Sequence, residues 1–266
     1  MKITIPAQFM GKPIEGAMER VLAMAPKNDD ISVEEGGKHV VPANEERNYI
    51  QVPQFGIVVA MRETHLGKNM FDTLEALAGE RLKMPSQRQF MRHWLNVKES
   101  AEEKRKLVYA DGTPVSYDVS RDLWDYMSST DRSKFNGKNC WTWLNSLFKE
   151  ENGKWFVEED LRVETDAQSR KYLRGTRVSL DNCIGESCYI DLNFNPQNLP
   201  TTKSSAEKYV QGENLYFYPT KNESVVGFYA NSDGAGLGCR GDPGSANSSL
   251  GVFSCAEGAN AQNLGV

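Results

Sequence analysis

Residues 228–253 read FYANSDGAGLGCRGDPGSANSSLGVF, and their composition departs from that of the rest of the chain. From Tyr229 to Ser249 there is no Lys, Glu, Gln, Met or Trp, although the preceding chain is rich in these types. Gly, Ser, Asn, Asp and Ala replace them, which is often the composition of a flexible linker. Apolar or constraining residues nevertheless recur, at Ala230, Ala235, Leu237, Cys239, Pro243 and Leu250. The window therefore predicts a rigid segment in which these residues enter a core while the residues between them face water.

The rest of the chain shows helical periodicity first and strand-like pieces later. Helices are predicted over residues 13–24, 70–78 (Asn69 as N-cap, Gly79 as stop), 85–97, 123–127 and 141–148. Strands are predicted over residues 56–61, 155–157, 188–191, 215–218, 225–230 and 250–254. This order predicts an α+β fold in a single domain, 1–266, with long loops, helices mainly in the N-terminal half and short antiparallel strands in the C-terminal half.

Composition narrows the class of partner. The formal net charge of -5 and the mixed charge signs argue against broad contact with nucleic acid or anionic lipid. The first residues, MKITIPAQFM, lack the continuous apolar run of a secretory signal. No later segment is apolar over the length that crosses a bilayer. We therefore expect no nucleic-acid partner and no membrane insertion.

The residues that could carry metal or thiol chemistry are five cysteines, at positions 140, 183, 188, 239 and 255, and three histidines, at positions 39, 65 and 93. Only Cys183 and Cys188 are close in sequence, and the histidines are scattered, so we expect no metal and no cofactor. Buried thiols or one disulfide are expected, and a pair Cys183–Cys188 or Cys239–Cys255 stays open. His93 lies on a predicted helix beside aromatic residues and is interpreted as a packing residue.

Three glycines in the window have the spacing of a dinucleotide-binding loop. Gly236, Gly238 and Gly241 match G-x-G-x-x-G, which binds a pyrophosphate only where a helix begins directly after the loop. Pro243 and the Gly, Ser and Asn residues after it do not predict a helix. We therefore attribute the spacing of these glycines to the glycine-rich composition of the window. No other motif in the sequence predicts a catalytic residue.

The fixed positions of the window belong to a longer pattern. Within the window they are Phe228-x-Ala230, Ala235-x-Leu237-x-Cys239, Pro243 and Leu250-Gly251-Val252. Upstream they are Met84-Pro85-Ser86 with Phe90 to Trp94, Ile190-Asp191-Leu192 with Asn195 and Leu199-Pro200-Thr201, and residues 212–219 with Asn214, Tyr216 and Phe217. This combination resembles the variable proteins of archaeal and archaeal-virus diversity-generating retroelements, over about two-thirds of the chain. It departs at Phe253, where many relatives have a basic residue.

The resemblance implies a C-type-lectin fold of the formylglycine-generating-enzyme-like subgroup, with a ligand-binding and not an enzymatic function. In that family a reverse transcriptase miscopies template adenines. The resulting NNC codons cannot encode Lys, Glu, Gln, Met or Trp, the five types missing from the window. The implied variable region is 228–253, and its implied ligand-binding sites are Tyr229, Asn231, Ser232, Asp233, Gly234, Gly236, Gly238, Arg240, Gly241, Asp242, Gly244, Ser245, Asn247 and Ser249.

The implied partner is an unknown protein or surface ligand, met at a virion or cell surface; the oligomeric state stays open. Among the implied sites Tyr229 is the one large contact residue, Arg240 is a forked donor, and Asp233 and Asp242 are acceptors. Because few bulky side chains are present, the window predicts modest affinity or a ligand that fits a concave patch.

Three other functions are weighed against this one. A formylglycine-generating oxidase would need reactive cysteines, for which Cys239 and Cys255 are the candidates. A calcium-dependent lectin would need clustered acidic and amide oxygens, and neither Glu-Pro-Asn nor Trp-Asn-Asp occurs. A structural virion or surface-layer subunit would show no diversity at the implied sites. We expect a binding protein.

Overall fold

The computed structural model describes residues 41–42 and 44–258, together with the backbone of two short strands near the N-terminus. These strands, β1 (Gln8–Phe9) and β2 (Lys12–Pro13), pair antiparallel. The chain divides into two compact units, 1–37 and 38–266, and all further elements belong to the second. The helix predicted over 13–24 lies outside the described residues, except for Pro13, which belongs to β2. The single domain predicted over residues 1–266 is not tested by the described residues and stays a prediction.

The described helices lie in the N-terminal half of the chain, and side chains cap their first turns. Asn69 accepts a hydrogen bond from the backbone N–H of Asp72 at 2.9 Å, which confirms the predicted N-cap. Ser86 and Gln89 cap each other's backbone in a capping box. The helices are α1 (Met70–Gly79), α2 (Gln87–Ala101) and α3 (Tyr117–Ser128), and three 3₁₀ turns cover Glu46–Asn48, Pro53–Phe55 and Ser133–Phe135. None of the described helices has the length and apolarity to cross a membrane.

The described strands of the second unit form two sheets. They are β3 (Tyr49–Val52), β4 (Ile57–Ala60), β5 (Cys140–Glu151), β6 (Lys154–Thr165), β7 (Lys171–Ser179), β8 (Cys188–Asp191), β9 (Asn214–Tyr218), β10 (Ser224–Asn231), β11 (Gly234–Gly241) and β12 (Cys255–Glu257). The larger sheet has the order β7-β6-β5-β10-β11-β9-β8 and the smaller one β12-β4-β3. The α+β class is confirmed. The strands are not uniformly short and antiparallel, since β5 and β6 have 12 residues each and β11 pairs with β9 in parallel.

Strand β5 occupies residues 141–148, where the sequence predicts a helix, so that prediction is wrong. The side chains from Thr142 to Phe148 are all buried, because helices cover both faces of the sheet at this strand. A segment buried on both faces lacks the alternation that marks a strand. Asn152 and Gly153 both have positive φ, 53° and 74°, and they join β5 to β6 as a two-residue hairpin loop.

One face of the larger sheet packs against α2 and α3 and forms the main core. The ring of Phe228, on β10, lies 5.2 Å from that of Phe90 and 6.1 Å from that of Trp94. Trp94 donates its indole N–H to the carbonyl of Met127 at 3.2 Å, which ties α2 to α3. These contacts make one face of β10 and its neighbours a fixed support.

The opposite face, called here the outer face, is covered at one side by α1. Met70 and Leu77 of α1 belong to one buried cluster with Trp143 of β5 and Val225 of β10. Farther across, toward β11, β9 and β8, no helix among the described residues packs on this face. Four of the predicted variable residues lie on this uncovered part, at the hairpin of β10 and β11, and they are Tyr229, Asn231, Asp233 and Gly234.

Candidate binding face

Strands β10 and β11, which contain residues 228–231 and 234–241 of the predicted variable region, alternate between the core and the outer face. In their antiparallel register Phe228 pairs with Leu237 and Tyr229 pairs with Gly236. The scaffold positions predicted from the sequence are buried at Phe228, Ala230, Ala235, Leu237, Cys239, Leu250 and Val252, and half-buried at Pro243. Since successive side chains of a strand point to opposite faces, the residues between them are directed to the outer face.

The fourteen predicted site residues fall into three groups by exposure. Seven are exposed: Ser232, Asp233, Arg240, Asp242, Gly244, Ser245 and Asn247. Five are half-buried: Tyr229, Asn231, Gly238, Gly241 and Ser249. Gly234 and Gly236 are buried, which differs from the expectation that the residues between scaffold positions face water. Twelve of the fourteen predicted site residues are therefore at least partly accessible, in the β10–β11 hairpin and in the loop that follows it.

Three of the predicted glycine sites have no room for a side chain in this protein. A Cβ at Gly234 would lie 2.5 Å from the Tyr209 ring, and its φ of +134° disfavours other residues. A Cβ at Gly241 would lie 2.9 Å from the carbonyl oxygen of Val225. At Gly236 a Cβ would overlap the phenol of Tyr229. Diversity at these positions requires the neighbours to move, whereas Gly238 has space.

We predict that Gly236→Ala lowers the free energy of unfolding by about 1–3 kcal/mol, because it overpacks the face. The added Cβ would lie 2.5 Å from Tyr229 Cζ and 2.6 Å from the carbonyl oxygen of Tyr216. In a Tyr229→Ala background the loss is expected to shrink by about 0.5 kcal/mol or more, though not to zero, because the carbonyl remains. Denaturant unfolding of the four proteins in this double-mutant cycle measures the coupling. Additive losses would show that the phenol does not restrict position 236.

A pocket of about 360 Å³ opens on the outer face beside the variable residues. Its aromatic residues come from four strands and are Trp141 (β5), Tyr189 (β8), Tyr216 and Tyr218 (β9) and Tyr229 (β10). Asn231, Asp233, Gly234 and Ala235, at the β10–β11 turn, complete the lining. Predicted variable residues and residues from outside the window thus share one concave site.

The aromatic rings of the pocket contact one another in a row. Ring centroids are 5.0 Å apart for Tyr189 and Tyr216, 4.9 Å for Tyr216 and Tyr218, and 6.4 Å for Tyr218 and Tyr229. Burial, with a smaller effect of Tyr218, raises the pKa of the Tyr229 phenol above its ordinary value. The phenol is therefore neutral at physiological pH. Four aromatic residues from outside the window join Tyr229 in the lining, so the pocket has more bulky side chains than the window alone indicates.

Sequence reasoning missed these four aromatic residues because they are far apart along the chain. A signal was present on β9, where Tyr216 and Tyr218 flank the buried Phe217 with the period of two typical of a strand. Tyr189 likewise lies between two buried residues of β8. The alternation identifies outward aromatics, but only the strand order places them on one face.

The loop that follows β11 is held by local hydrogen bonds. Asp242 Oδ1 accepts from the backbone N–H of Gly244 at 2.8 Å, and Asn247 Oδ1 accepts from that of Ser249 at 2.9 Å. The carbonyl of Pro243 accepts from the N–H of Met70 at 3.0 Å, which ties the loop to α1. The strand predicted over 250–254 is present only as isolated bridges, and β12 begins at Cys255. The loop is thus ordered, and two predicted variable side chains shape it.

The thiols and the histidine of the core are shielded from solvent. All five cysteines are free, so the disulfides left open by the sequence do not occur in this structure. Burial raises the pKa of Cys239 well above its ordinary value and that of Cys255 to about 12. His93 is fully buried, and neither ring nitrogen has a hydrogen-bond partner among the described residues. Within residues 41–42 and 44–258, no three His, Cys, Asp or Glu residues are grouped as metal ligands.

Comparisons of the chain with protein-family models, with curated proteins and with solved structures found no significant match. The geometry of the outer face is therefore the basis for the functional argument.

Proposed function

We propose that this chain is a ligand-binding protein with a C-type-lectin-like scaffold, diversified by a retroelement over residues 228–253. In this proposal it binds a protein or surface ligand through the outer face of β10 and β11 and the loop after them. One observation carries the proposal: the apolar residues that β10 and β11 contribute to the window are buried in the main core, and most of the predicted variable residues are at least partly accessible.

The energetic cost of substitution favours constant residues at buried positions and variable residues at exposed positions. Truncating a packed side chain such as Leu237 costs about 2–5 kcal/mol, whereas a substitution at an exposed residue such as Asp233 usually changes stability by about 0.5 kcal/mol or less. A whole domain is stable by only about 5–15 kcal/mol. Many exposed positions can therefore vary together, and few buried ones can.

The aromatic pocket adds a constant element to the variable face. Tyr189, Tyr216 and Tyr218 lie outside the window of skewed composition, so they would remain while Tyr229 and the turn residues vary. Tyrosine offers a large, rigid and amphipathic contact at a low entropic cost. We infer that the constant rings supply affinity and that the turn supplies selectivity.

The buried thiols favour binding over the oxidase alternative. Cys239 is fully buried and burial raises its pKa, so the thiol stays protonated at neutral pH. A reactive cysteine needs an accessible thiolate. Cys255 has the same surroundings, with a pKa raised to about 12.

The proposal predicts that the two faces of the hairpin differ in their tolerance to NNC codons. A library randomised with NNC at Asn231, Ser232, Asp233 and Arg240 is expected to consist mainly of folded proteins. Their thermal midpoints should lie within about 1–4 °C of the parent. A matched library at Ala230, Ala235, Leu237 and Cys239 is expected to be largely unfolded. Selection of the first library against unrelated proteins should yield specific binders, and equal tolerance in the two libraries would contradict the proposal.

The retroelement itself leaves a separate trace in DNA. We expect a near-copy of the coding segment for residues 228–253 close to the gene, differing at adenines and accompanied by a reverse transcriptase gene. Sequencing of the flanking DNA tests this. If the complete flanking sequence contains no such copy, the diversification part of the proposal fails.

A further inference from the structure

The aromatic pocket has an acidic character. The charged residue among those that line it is Asp233, and the other polar side-chain groups of the lining belong to Asn231, the tyrosines and Trp141, whose indole N–H has no hydrogen-bond partner among the described residues. The backbone N–H of Asp233 bonds to Asn231 Oδ1 at 2.9 Å. Its carboxylate makes no ion pair with any residue in the described ranges. A negative charge thus stands unpaired beside five aromatic rings.

One ring of this group already accepts a cation. The guanidinium carbon of Arg240 lies 4.0 Å from the centroid of the Tyr218 ring, within the range of a cation–π contact. Arg240 itself is exposed and is not part of the pocket lining. The contact shows that the ring faces on this surface can be approached by a guanidinium.

We propose that the pocket binds the guanidinium or ammonium group of an Arg or Lys side chain presented by a protein partner. This inference rests on the proposed binding function and names the chemistry of the ligand. The negative faces of the rings attract a cation, and Asp233 supplies the opposite formal charge at the pocket edge. The net charge of the chain, -5, steers a basic partner toward it.

The size of the site fits a side chain better than a folded surface. A volume of about 360 Å³ lies at the small end of the range for ligand pockets, about 300–1,000 Å³. One extended basic side chain could enter it while the partner's backbone rests on the β10–β11 turn. The exposed turn residues Ser232 and Asp233 would then contact the partner around that side chain.

The test compares a cation with its neutral isostere on the full chain. N-acetylargininamide and N-acetylcitrullinamide have nearly the same shape, and only the first carries a charge. Titrations followed by the backbone amide signals of Gly234 and Ala235 are expected to show the arginine probe binding at least about tenfold more tightly. Equal affinity for the two probes would overturn the proposal.

Variants assign the effect to the pocket. Asp233→Asn keeps the shape of the turn residue and removes its charge, and Tyr216→Leu removes a ring; each is expected to weaken binding of N-acetylargininamide by about threefold or more. Tyr172→Leu is the matched control, because Tyr172 is an exposed tyrosine on β7, at the far edge of the sheet. It should leave the affinity unchanged. Equal weakening in all three would overturn the assignment.

Two further probes separate this inference from the function on which it rests. Choline tests for a small quaternary ammonium ligand, and methyl glucoside tests for a neutral sugar. If choline binds more tightly than the arginine probe, the proposal that the cation belongs to an Arg or Lys side chain is wrong. If only the sugar binds, the proposal that the pocket binds a cation is wrong, although the outer face still binds a ligand. Failure of the binding proposal would be seen in a different experiment: the library randomised at Asn231, Ser232, Asp233 and Arg240 would yield no specific binders.

Discussion

Replacing Leu237 by alanine is expected to lower the free energy of unfolding by about 2–5 kcal/mol. Leu237 is fully buried in the main core and pairs with Phe228 across the β10–β11 hairpin. Truncation removes apolar contacts and leaves a cavity that the surrounding strands and helices cannot readily fill. In urea unfolding the midpoint should fall while the slope stays constant, which is the signature of a change in stability alone.

The matched control is the next residue on the same strand, Gly238→Ala. An added Cβ there would find its nearest atoms at 3.7 Å and 3.9 Å, which is ordinary contact. The expected change in unfolding free energy is within about 0.5 kcal/mol. Comparable losses in the two variants would mean that the strand does not alternate between a packed and an accessible face. The proposed function would then lose its support.

The capped starts of α1 and α2 were the most predictable part of this fold, whereas α3 begins six residues before the helix predicted over 123–127. Helix α1 begins after Asn69 and ends at Gly79, within a residue of the prediction, and α2 begins after Ser86. Caps are local: the side chain bonds to a backbone group three residues ahead, so the sequence alone contains the information. The amphipathic spacing of the buried residues in α1 is local for the same reason.

The central strand and the pocket depend on contacts between distant segments, and this is why the sequence did not reveal them. Strand β5 is buried on both faces by helices up to 70 residues earlier in the chain, and its apolar run therefore looked helical. Trp141 and Tyr229 lie on adjacent strands, with ring centroids 6.5 Å apart, although 88 residues separate them. Strand order determines the site, and no local pattern specifies strand order.

The glycines of the window show a mixed outcome. The family resemblance implied that Gly234, Gly236, Gly238 and Gly241 are equivalent variable sites. The structure separates them, since a side chain has space at Gly238 and meets backbone or aromatic atoms at the other three. A larger residue at position 236 would require a smaller one at position 229, because a Cβ at position 236 meets the Tyr229 phenol. Variation across this cross-strand pair is therefore coupled, which reduces the number of combinations that fold.

Acid is expected to destabilise the protein through His93. Burial lowers the pKa of this histidine from 6.5 to about 4. As the pH falls below 6.5, the unfolded chain binds a proton at His93 that the native protein does not bind until near pH 4. The free energy of unfolding therefore decreases as the pH falls through this window, by about 3 kcal/mol in total. The stability that the neutral ring contributes is fully present above pH 6.5.

His93→Leu is expected to remove this part of the pH dependence, because an apolar side chain of similar volume replaces the imidazole and takes up no proton. Carboxylates titrate alike in both proteins. One example is Asp111, and hydrogen bonds from Thr113 lower its pKa to about 2. Their contributions cancel when the variant's unfolding free energy is subtracted from that of the parent at pH 7, 6, 5 and 4. The difference should shift steadily in favour of the variant as the pH falls. If the unfolding free energies of the two proteins run parallel as the pH changes, His93 takes up its proton equally in the folded and unfolded states. The core around Phe90 would then not hold the imidazole neutral.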